Sequence, residues 1–188
     1  MRRTAVAGGV AAVAGLVLGL AAGEPAERAE LAAARTLPSD LCSRLGDVRS
    51  LLPKTSTGQS RLLQTGVSAV RCRVEAQENT QPTHTSATLV VTITPYGERV
   101  GGAGAPPILP ETAARQAYDR KPWLELKGRP FPTKVERSPY GEEHWRVSVL
   151  LVRADLVVQV DYTAHPIARD KAEKAAMVMA DRALWEAR

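Results

Sequence analysis

The sequence predicts an α+β fold, in which an antiparallel sheet of four to five strands carries helices packed on one face. The predicted order is α-β-β-α-β-β-β-α, preceded by an N-terminal membrane helix. Several segments alternate apolar with polar residues, as strands with one buried face do, and alanine-rich segments follow a helical period. With one Phe, four Tyr and three Trp, the core depends on Val, Leu, Ala and Ile, which suits a sheet covered by alanine-rich helices.

The first 23 residues predict a signal peptide or a membrane anchor. Arg2 and Arg3 precede an apolar run over residues 5–23, which as a helix is about 28 Å long and just spans a bilayer core of about 30 Å. The length of the run favours an uncleaved anchor, whereas the small residues at its end favour cleavage near Gly23. No cysteine ends the run, which speaks against a lipoprotein.

Charge asymmetry gives the expected topology. The arginines before the run predict an internal amino terminus and an external position for residues 24–188. We therefore expect a single-pass cell-membrane protein with an extracytoplasmic C-terminal domain, contacting the membrane through residues 5–23. The alternative is a protein secreted after cleavage near Gly23. Residues 24–36 predict a helical stalk or linker, and residues 37–188 the extracytoplasmic domain.

The first elements of the domain carry the two cysteines. A short helix is predicted from Asp40 to about Leu45, ending at Gly46, so Cys42 lies on a helix while Cys72 lies on a predicted strand. An external compartment favours a Cys42–Cys72 disulfide, and the alternative is two buried thiols. Closing this loop would stabilise the domain by roughly 3 to 4 kcal/mol, and replacing either cysteine with serine should cost about 2 to 5 kcal/mol.

The remaining elements follow from periodicity and turn signals. The predicted strands cover residues 67–76, 86–94, 133–137, 145–152 and 156–162. One predicted helix starts at Pro110 and stops before Pro122, and the last runs from Ala168 to Ala187. Loops are predicted for residues 54–66, 77–85, 98–110 and 123–132. Ser138–Gly141 is a turn signal. The last helix carries one apolar stripe, which consists of Ala172, Ala176, Met179 and Ala183.

Side chains that could support catalysis or metal binding are few. His84, His144 and His165 lie outside any metal-ligand spacing, so solvated loop histidines are favoured. The acidic residues Glu142 and Glu143 beside His144 are interpreted as a charged turn. The glycines of residues 101–104 lack the lysine and the strand-to-helix context of a phosphate-binding loop and predict a flexible loop. We therefore predict no catalytic residues, no cofactor and no metal site.

The charge distribution speaks against nucleic-acid binding. The net charge is +5, and arginines and acids alternate along every segment without forming a basic run. The expected partners are the membrane and a cell-envelope protein or ligand.

One combination of features resembles a known group of proteins. An export segment is followed by Leu-Cys-Ser-Arg-Leu at residues 41–45, Leu-Leu-Pro at 51–53, Val-Arg-Cys-Arg-Val at 70–74, a Val/Leu hairpin and an alanine-rich helix. This combination resembles actinobacterial exported two-cysteine cell-surface domains of unknown function over residues 37–188. The resemblance implies a two-cysteine α+β module outside the membrane. It supplies no functional residues, and the chain lacks the lipidation cysteine of the lipid-anchored members.

The sequence thus predicts a membrane-tethered or secreted extracytoplasmic module that binds or interacts at the cell envelope without catalysis. An exported hydrolase with a site built from loops is one alternative, and a clustering of the histidines with carboxylates would favour it. A purely structural envelope protein is another, and it would have no concave pocket of mixed polarity.

Overall fold

The computed structural model describes residues 31–53, 58–63, 69–80 and 83–187, without the side chains of residues 58–63, 77–80 and 83–84. From Ala32 onwards the chain belongs to one compact unit. In chain order the elements are α1 (Leu41–Arg44), a 3-10 turn (Arg49–Leu51), β1 (Gly58–Leu63), β2 (Val70–Thr80), β3 (Thr83–Pro95), α2 (Pro110–Asp119), β4 (Leu124–Glu125), β5 (Thr133–Gly141), β6 (His144–Arg153), β7 (Leu156–His165) and α3 (Arg169–Glu186).

The strands form one antiparallel sheet in the order β1-β2-β3-β7-β6-β5-β4. Six of these strands have six residues or more, and β4 adds two residues at one edge. The α+β class is confirmed, whereas the predicted count of four to five strands is wrong. The tight β6–β7 hairpin was predicted and is present, with Arg153 paired to Leu156 across the turn.

One face of the sheet carries the main core. Alternate residues of β2, β3, β6 and β7 point to this face, and α3 packs across β6 and β7. The predicted stripe of α3 is buried completely, because Ala172, Ala176, Met179 and Ala183 each have 0% exposure. Alanine lets the helix approach the sheet closely, so the larger side chains of the strands fill the core.

The helices do not all lie on one face, which corrects the prediction. Helix α2 packs on the opposite face, where Ala114 and Tyr118 contact a second cluster that contains Leu150, Val152 and Val157. Lys134 on β5 points to the same side, and its ammonium donates hydrogen bonds to the carbonyls of Tyr118, Asp119 and Lys121 at the end of α2. A cation suits the negative end of a helix, so Lys134 helps to hold α2 in place.

Three predicted loops contain strands. Strand β1 occupies the segment predicted as loop 54–66, and the β2–β3 hairpin continues through Thr80 and Thr83 into the predicted loop 77–85. Strand β4 lies in the connection predicted to be irregular. Backbone pairing needs no apolar side chains, which explains why polar composition misled the prediction.

The predicted turn at Ser138–Gly141 is also wrong. Strand β5 runs to Gly141 with a register shift beside Pro139, and the chain turns at Glu142 and Glu143 instead. Glu143 has a left-handed φ of 52°, which the tight turn requires. The actual order is therefore helix, 3-10 turn, three strands, helix, four strands, helix.

The chain enters the domain through residues 32–35, here called the strap. The predicted anchor over residues 1–23 lies outside the described residues, and the described end of the predicted stalk, residues 31–36, is not helical. The Ala32 N–H donates to the Glu98 carboxylate at 2.8 Å, and the Glu98 N–H donates to the Ala32 carbonyl at 2.9 Å. Arg35 binds Asp155 through two hydrogen bonds of 2.8 and 2.5 Å. Within the described ranges, no helix is both long and apolar enough to cross a membrane.

The disulfide joins α1 to β2. Cys42 and Cys72 are bonded, with their Cα atoms 5.6 Å apart, so this prediction is confirmed. Leu41 and Leu45 of the short helix are buried in the core, and the Arg182 guanidinium of α3 donates to the Leu45 carbonyl at 2.7 Å. Helix α1 is thus attached by one covalent bond and a few contacts.

Candidate binding groove

A groove of about 700 Å³ lies at the end of the domain where β7 passes into α3. Three walls define it: residues 50–53 at the end of the 3-10 turn and just beyond it, about the first three turns of α3, and the segment Pro166–Ala168 with the β5–β6 turn. The volume is typical of small-molecule sites. Groove residues from four separate segments of the chain make up this concave surface.

The first wall is apolar and firmly positioned. Leu52 is buried in the main core, and Leu51 and Pro53 are half-buried beside it. The buried Tyr162 hydroxyl donates to the Leu51 carbonyl at 2.9 Å, which ties this wall to the centre of the sheet. Burial raises the pKa of Tyr162, so the hydroxyl keeps its proton and remains a donor over the physiological range.

The α3 wall contributes the positive charge. Lys171 and Lys174 are three residues apart and exposed, so they lie on one helix face, and Ala175 and Val178 continue the wall with apolar surface. Among the described residues, neither ammonium group has a carboxylate within salt-bridge distance. From Lys171 to Val178 this wall is roughly 10 Å long.

The third wall adds one carboxylate to the groove. Glu143 lies on the β5–β6 turn, and its carbonyl accepts a 2.7 Å hydrogen bond from the Ile167 N–H, which joins this turn to the β7–α3 connection. Thr85 at the start of β3 adds a hydroxyl. Ala168 is the N-cap of α3 and also lines the groove, so the positive end of the helix dipole lies beside the lysines.

These features define the chemistry that the groove can perform. Its wall at Leu51, Leu52 and Pro53 offers apolar contact, and Ile167 and Val178 extend that contact towards α3. Two ammonium groups that have no carboxylate partner among the described residues, together with the helix terminus, favour an anion at one end. A molecule with an apolar body and one anionic group is therefore the best complement.

The histidines are arranged differently from the prediction. His144 and His165 are strand residues: His144 is the first residue of β6 and His165 is the last residue of β7, and their ring centroids lie 5.6 Å apart. Tyr140 lies on the other side of His144, with ring centroids at 5.5 Å. Because the neighbours Trp145 and Ala164 face the main core, the two histidines point to the opposite face of the sheet from the groove.

The third histidine, His84, lies on β3. The backbone of His84 pairs with Asn79, and its side chain lies outside the description. In the portion of the chain that the structure describes, no group of three or more His, Cys, Asp or Glu side chains is arranged to hold a metal ion. The His144 ring contacts the rings of both His165 and Tyr140. Glu142 and Glu143 form the turn that precedes His144.

Sequence reasoning missed the groove residues. Lys171, Lys174 and Val178 have the i, i+3, i+7 spacing of one helix face, next to the buried alanine stripe, and this spacing is a signal that a helical projection would reveal. No comparable signal links them to Leu51 or Ile167. Only the fold brings these segments together.

Comparison of the chain with protein-family models, with curated proteins and with solved structures found no match in any of the three. The geometry of the domain itself is therefore the basis for a functional proposal.

Proposed function

We propose that the protein is an extracytoplasmic binding module of the cell envelope, and that the groove beside α3 binds an amphipathic anion. The observation that carries this proposal is that one concave surface joins an apolar wall to Lys171 and Lys174, neither of which forms a salt bridge within the described part of the chain. The module acts by binding and performs no catalysis. A carboxylate or a phosphate would contact Lys171 and Lys174, while an alkyl or similar apolar group would lie against Leu51 and Ile167.

Two features support the external location. A run of nineteen apolar or small residues follows the amino-terminal arginines, and it would hold the domain at the membrane or direct its secretion. The Cys42–Cys72 bond suits an oxidising compartment. Both fit the resemblance to actinobacterial exported two-cysteine domains. Mass spectrometry of the native protein distinguishes the membrane-anchored form from the secreted form, because a mature chain that starts near Glu24 would show that the apolar run has been cleaved off.

The binding proposal is tested by calorimetry on the full chain in lipid nanodiscs, with empty nanodiscs as the blank. Hexyl phosphate and hexanoate probe the two possible anions, hexanol probes the apolar part alone, and inorganic phosphate probes the charge alone. We expect the two amphipathic anions to bind and the single-feature probes to bind much more weakly, because each contacts only half of the groove.

Matched charge variants give the control. Lys171→Gln with Lys174→Gln should weaken hexyl phosphate binding on the order of tenfold, since two charge-assisted contacts are lost. Lys121→Gln with Lys127→Gln removes the same charge from exposed sites outside the groove and should leave the affinity unchanged. Equal weakening by both pairs would contradict a groove site and indicate general attraction to a basic protein.

A further inference from the structure

The loop of residues 100–110, here called the apolar loop, has no charged or polar side chain at any position. It consists of Val, Gly, Ala, Pro, Ile and Leu, and most of it is exposed. The side chains of Val100 and Leu109 are 77% and 59% exposed. Exposed apolar surface of this kind is suited to burial against a partner or a lipid surface.

The apolar loop has a defined shape. At its base Arg99 and Ile108 exchange two backbone hydrogen bonds of 3.0 and 2.8 Å, and Ala105 N–H donates to the Gly102 carbonyl at 2.8 Å. A Cβ atom on Gly101 would lie 2.3 Å from the Pro106 carbonyl oxygen, so the two sides of the loop are in close contact. The loop is therefore a narrow projection and not a patch that folds back over the core.

The strap enters the domain at the base of this projection. Ala32 is bonded to Glu98, two residues before Val100, and a Cβ atom on Gly97 would lie only 2.6 Å from the Ala34 nitrogen. Arg35 fixes the strap further through Asp155. In the sequence the apolar run ends at Gly23, nine residues before Ala32, and a linker of nine residues has a maximum reach of about 30 Å.

The base of the loop also has the side chains that are common at a membrane surface. The Arg99 guanidinium lies 5.1 Å from the centre of the Tyr96 ring. Arginine and tyrosine are favoured where a protein meets lipid headgroups, since the cation contacts phosphate and the ring contacts both water and hydrocarbon.

We propose that the apolar loop docks on the surface of the bilayer that residues 5–23 enter. This inference rests on the anchored form of the proposed function. An irregular loop does not pair all of its backbone groups internally as a helix or a closed barrel does, so this loop occupies the interfacial layer and does not enter the hydrocarbon core. Docking at two places, through the apolar run and through the loop, orients the domain on the membrane.

The orientation determines where the groove opens. Strand β7 connects the strap end at Leu156 to the groove end at His165, and its nine steps span roughly 30 Å. With the loop on the bilayer, the groove opens away from the membrane and towards the rest of the envelope. Its ligand is then taken from the envelope side and not from the bilayer that holds the domain.

The test uses the full chain in vesicles of phosphatidylcholine and phosphatidylglycerol at 3:1. An environment-sensitive fluorophore is attached to Ala103→Cys at the loop tip or to Glu142→Cys on the β5–β6 turn at the opposite end. We expect nitroxide groups near the lipid headgroups to reduce the emission at position 103 at least twofold and to leave position 142 unchanged. Adding Val100→Asp and Leu109→Asp, both at exposed sites, should abolish the reduction at position 103.

Vesicle flotation separates the two possible failures. If the protein floats with the vesicles while position 103 shows no quenching, or while both positions are quenched equally, the docking inference is wrong and the anchor remains. If the protein does not float, the anchored form of the proposed function is wrong, and the docking inference is refuted with it. Groove binding is measured independently and is unaffected by either result.

Discussion

Removing the Cys42–Cys72 disulfide should destabilise the domain. We consider Cys42→Ala together with Cys72→Ala, because alanine buries no new hydroxyl and the double change leaves no reactive thiol. The two cysteines are 30 residues apart in sequence, so the chain-entropy model predicts a loss of roughly 3.7 kcal/mol. This is a large fraction of the stability of a single domain.

The structure indicates where the effect should be concentrated. Without the bond, α1 is held by the burial of Leu41 and Leu45 and by the Arg182 hydrogen bond. A four-residue helix has little stability of its own, so α1 should open locally before the sheet unfolds. Hydrogen exchange should therefore accelerate in α1 through local opening, whereas the amides of β6 and β7 should still exchange only when the whole domain unfolds.

Urea unfolding followed by fluorescence gives the magnitude. With a slope of about 2 kcal/mol per M, the midpoint should fall by roughly 2 M, and reduced wild-type protein should match the double variant. Because the reduced protein keeps both sulfur atoms but lacks the bond, such a match would show that the covalent bond, and not the packing of the sulfur atoms, accounts for the stabilisation. An oxidised wild type within about 1 kcal/mol of the double variant would refute the structural role assigned to this bond.

Three further changes test separate contacts. Glu173→Gln removes the partner of Arg137, whose guanidinium lowers the pKa of Glu173, and it should reduce the free energy of unfolding by about 1 kcal/mol at neutral pH. In urea titrations the stability difference between wild type and variant should shrink as the pH falls below the usual glutamate pKa and vanish below the lowered pKa of Glu173. Gly97→Ala places a Cβ against the strap backbone and should displace the strap, so trypsin should cleave after Arg35 faster while the thermal unfolding temperature changes little. An unchanged rate of cleavage would contradict the close contact between Gly97 and the strap. Burial raises the pKa of Tyr118 to about 12, so the free energy of unfolding should fall between pH 10 and 12. Tyr118→Phe should make that fall less steep, and identical pH dependence of the stability of the two proteins would contradict the burial of the Tyr118 hydroxyl.

The parts of the fold that the sequence predicted are those with strong local periodicity. Apolar residues recur at every second position in the β6–β7 hairpin and at every third or fourth position in α3, and both predicted elements are present. The disulfide was predicted because an export segment and two isolated cysteines occur together. These features need no knowledge of distant contacts.

The parts that were not predicted involve contacts between distant segments. Strand β1 is an edge strand, and its polar composition resembles a loop until β2 provides its hydrogen-bond partners. The position of α2 on the opposite face was signalled by the continuous apolar run of residues 149–152, since a strand that is apolar on both sides is covered on both sides. That run was interpreted only as a strand. The groove has no local signal, because its walls come from residues far apart in the chain.

The central claim is that the groove binds an amphipathic anion, and methyl NMR of the full chain in nanodiscs tests it most directly. Titration with hexyl phosphate should shift the methyl signals of Leu51, Ile167 and Val178 together, with one common affinity, while the signals of Val100 and Leu109 in the apolar loop stay in place. Lys171→Gln with Lys174→Gln should suppress those shifts. Shifts confined to the apolar loop, or spread evenly over the methyl groups without saturation, would contradict the groove as the binding site.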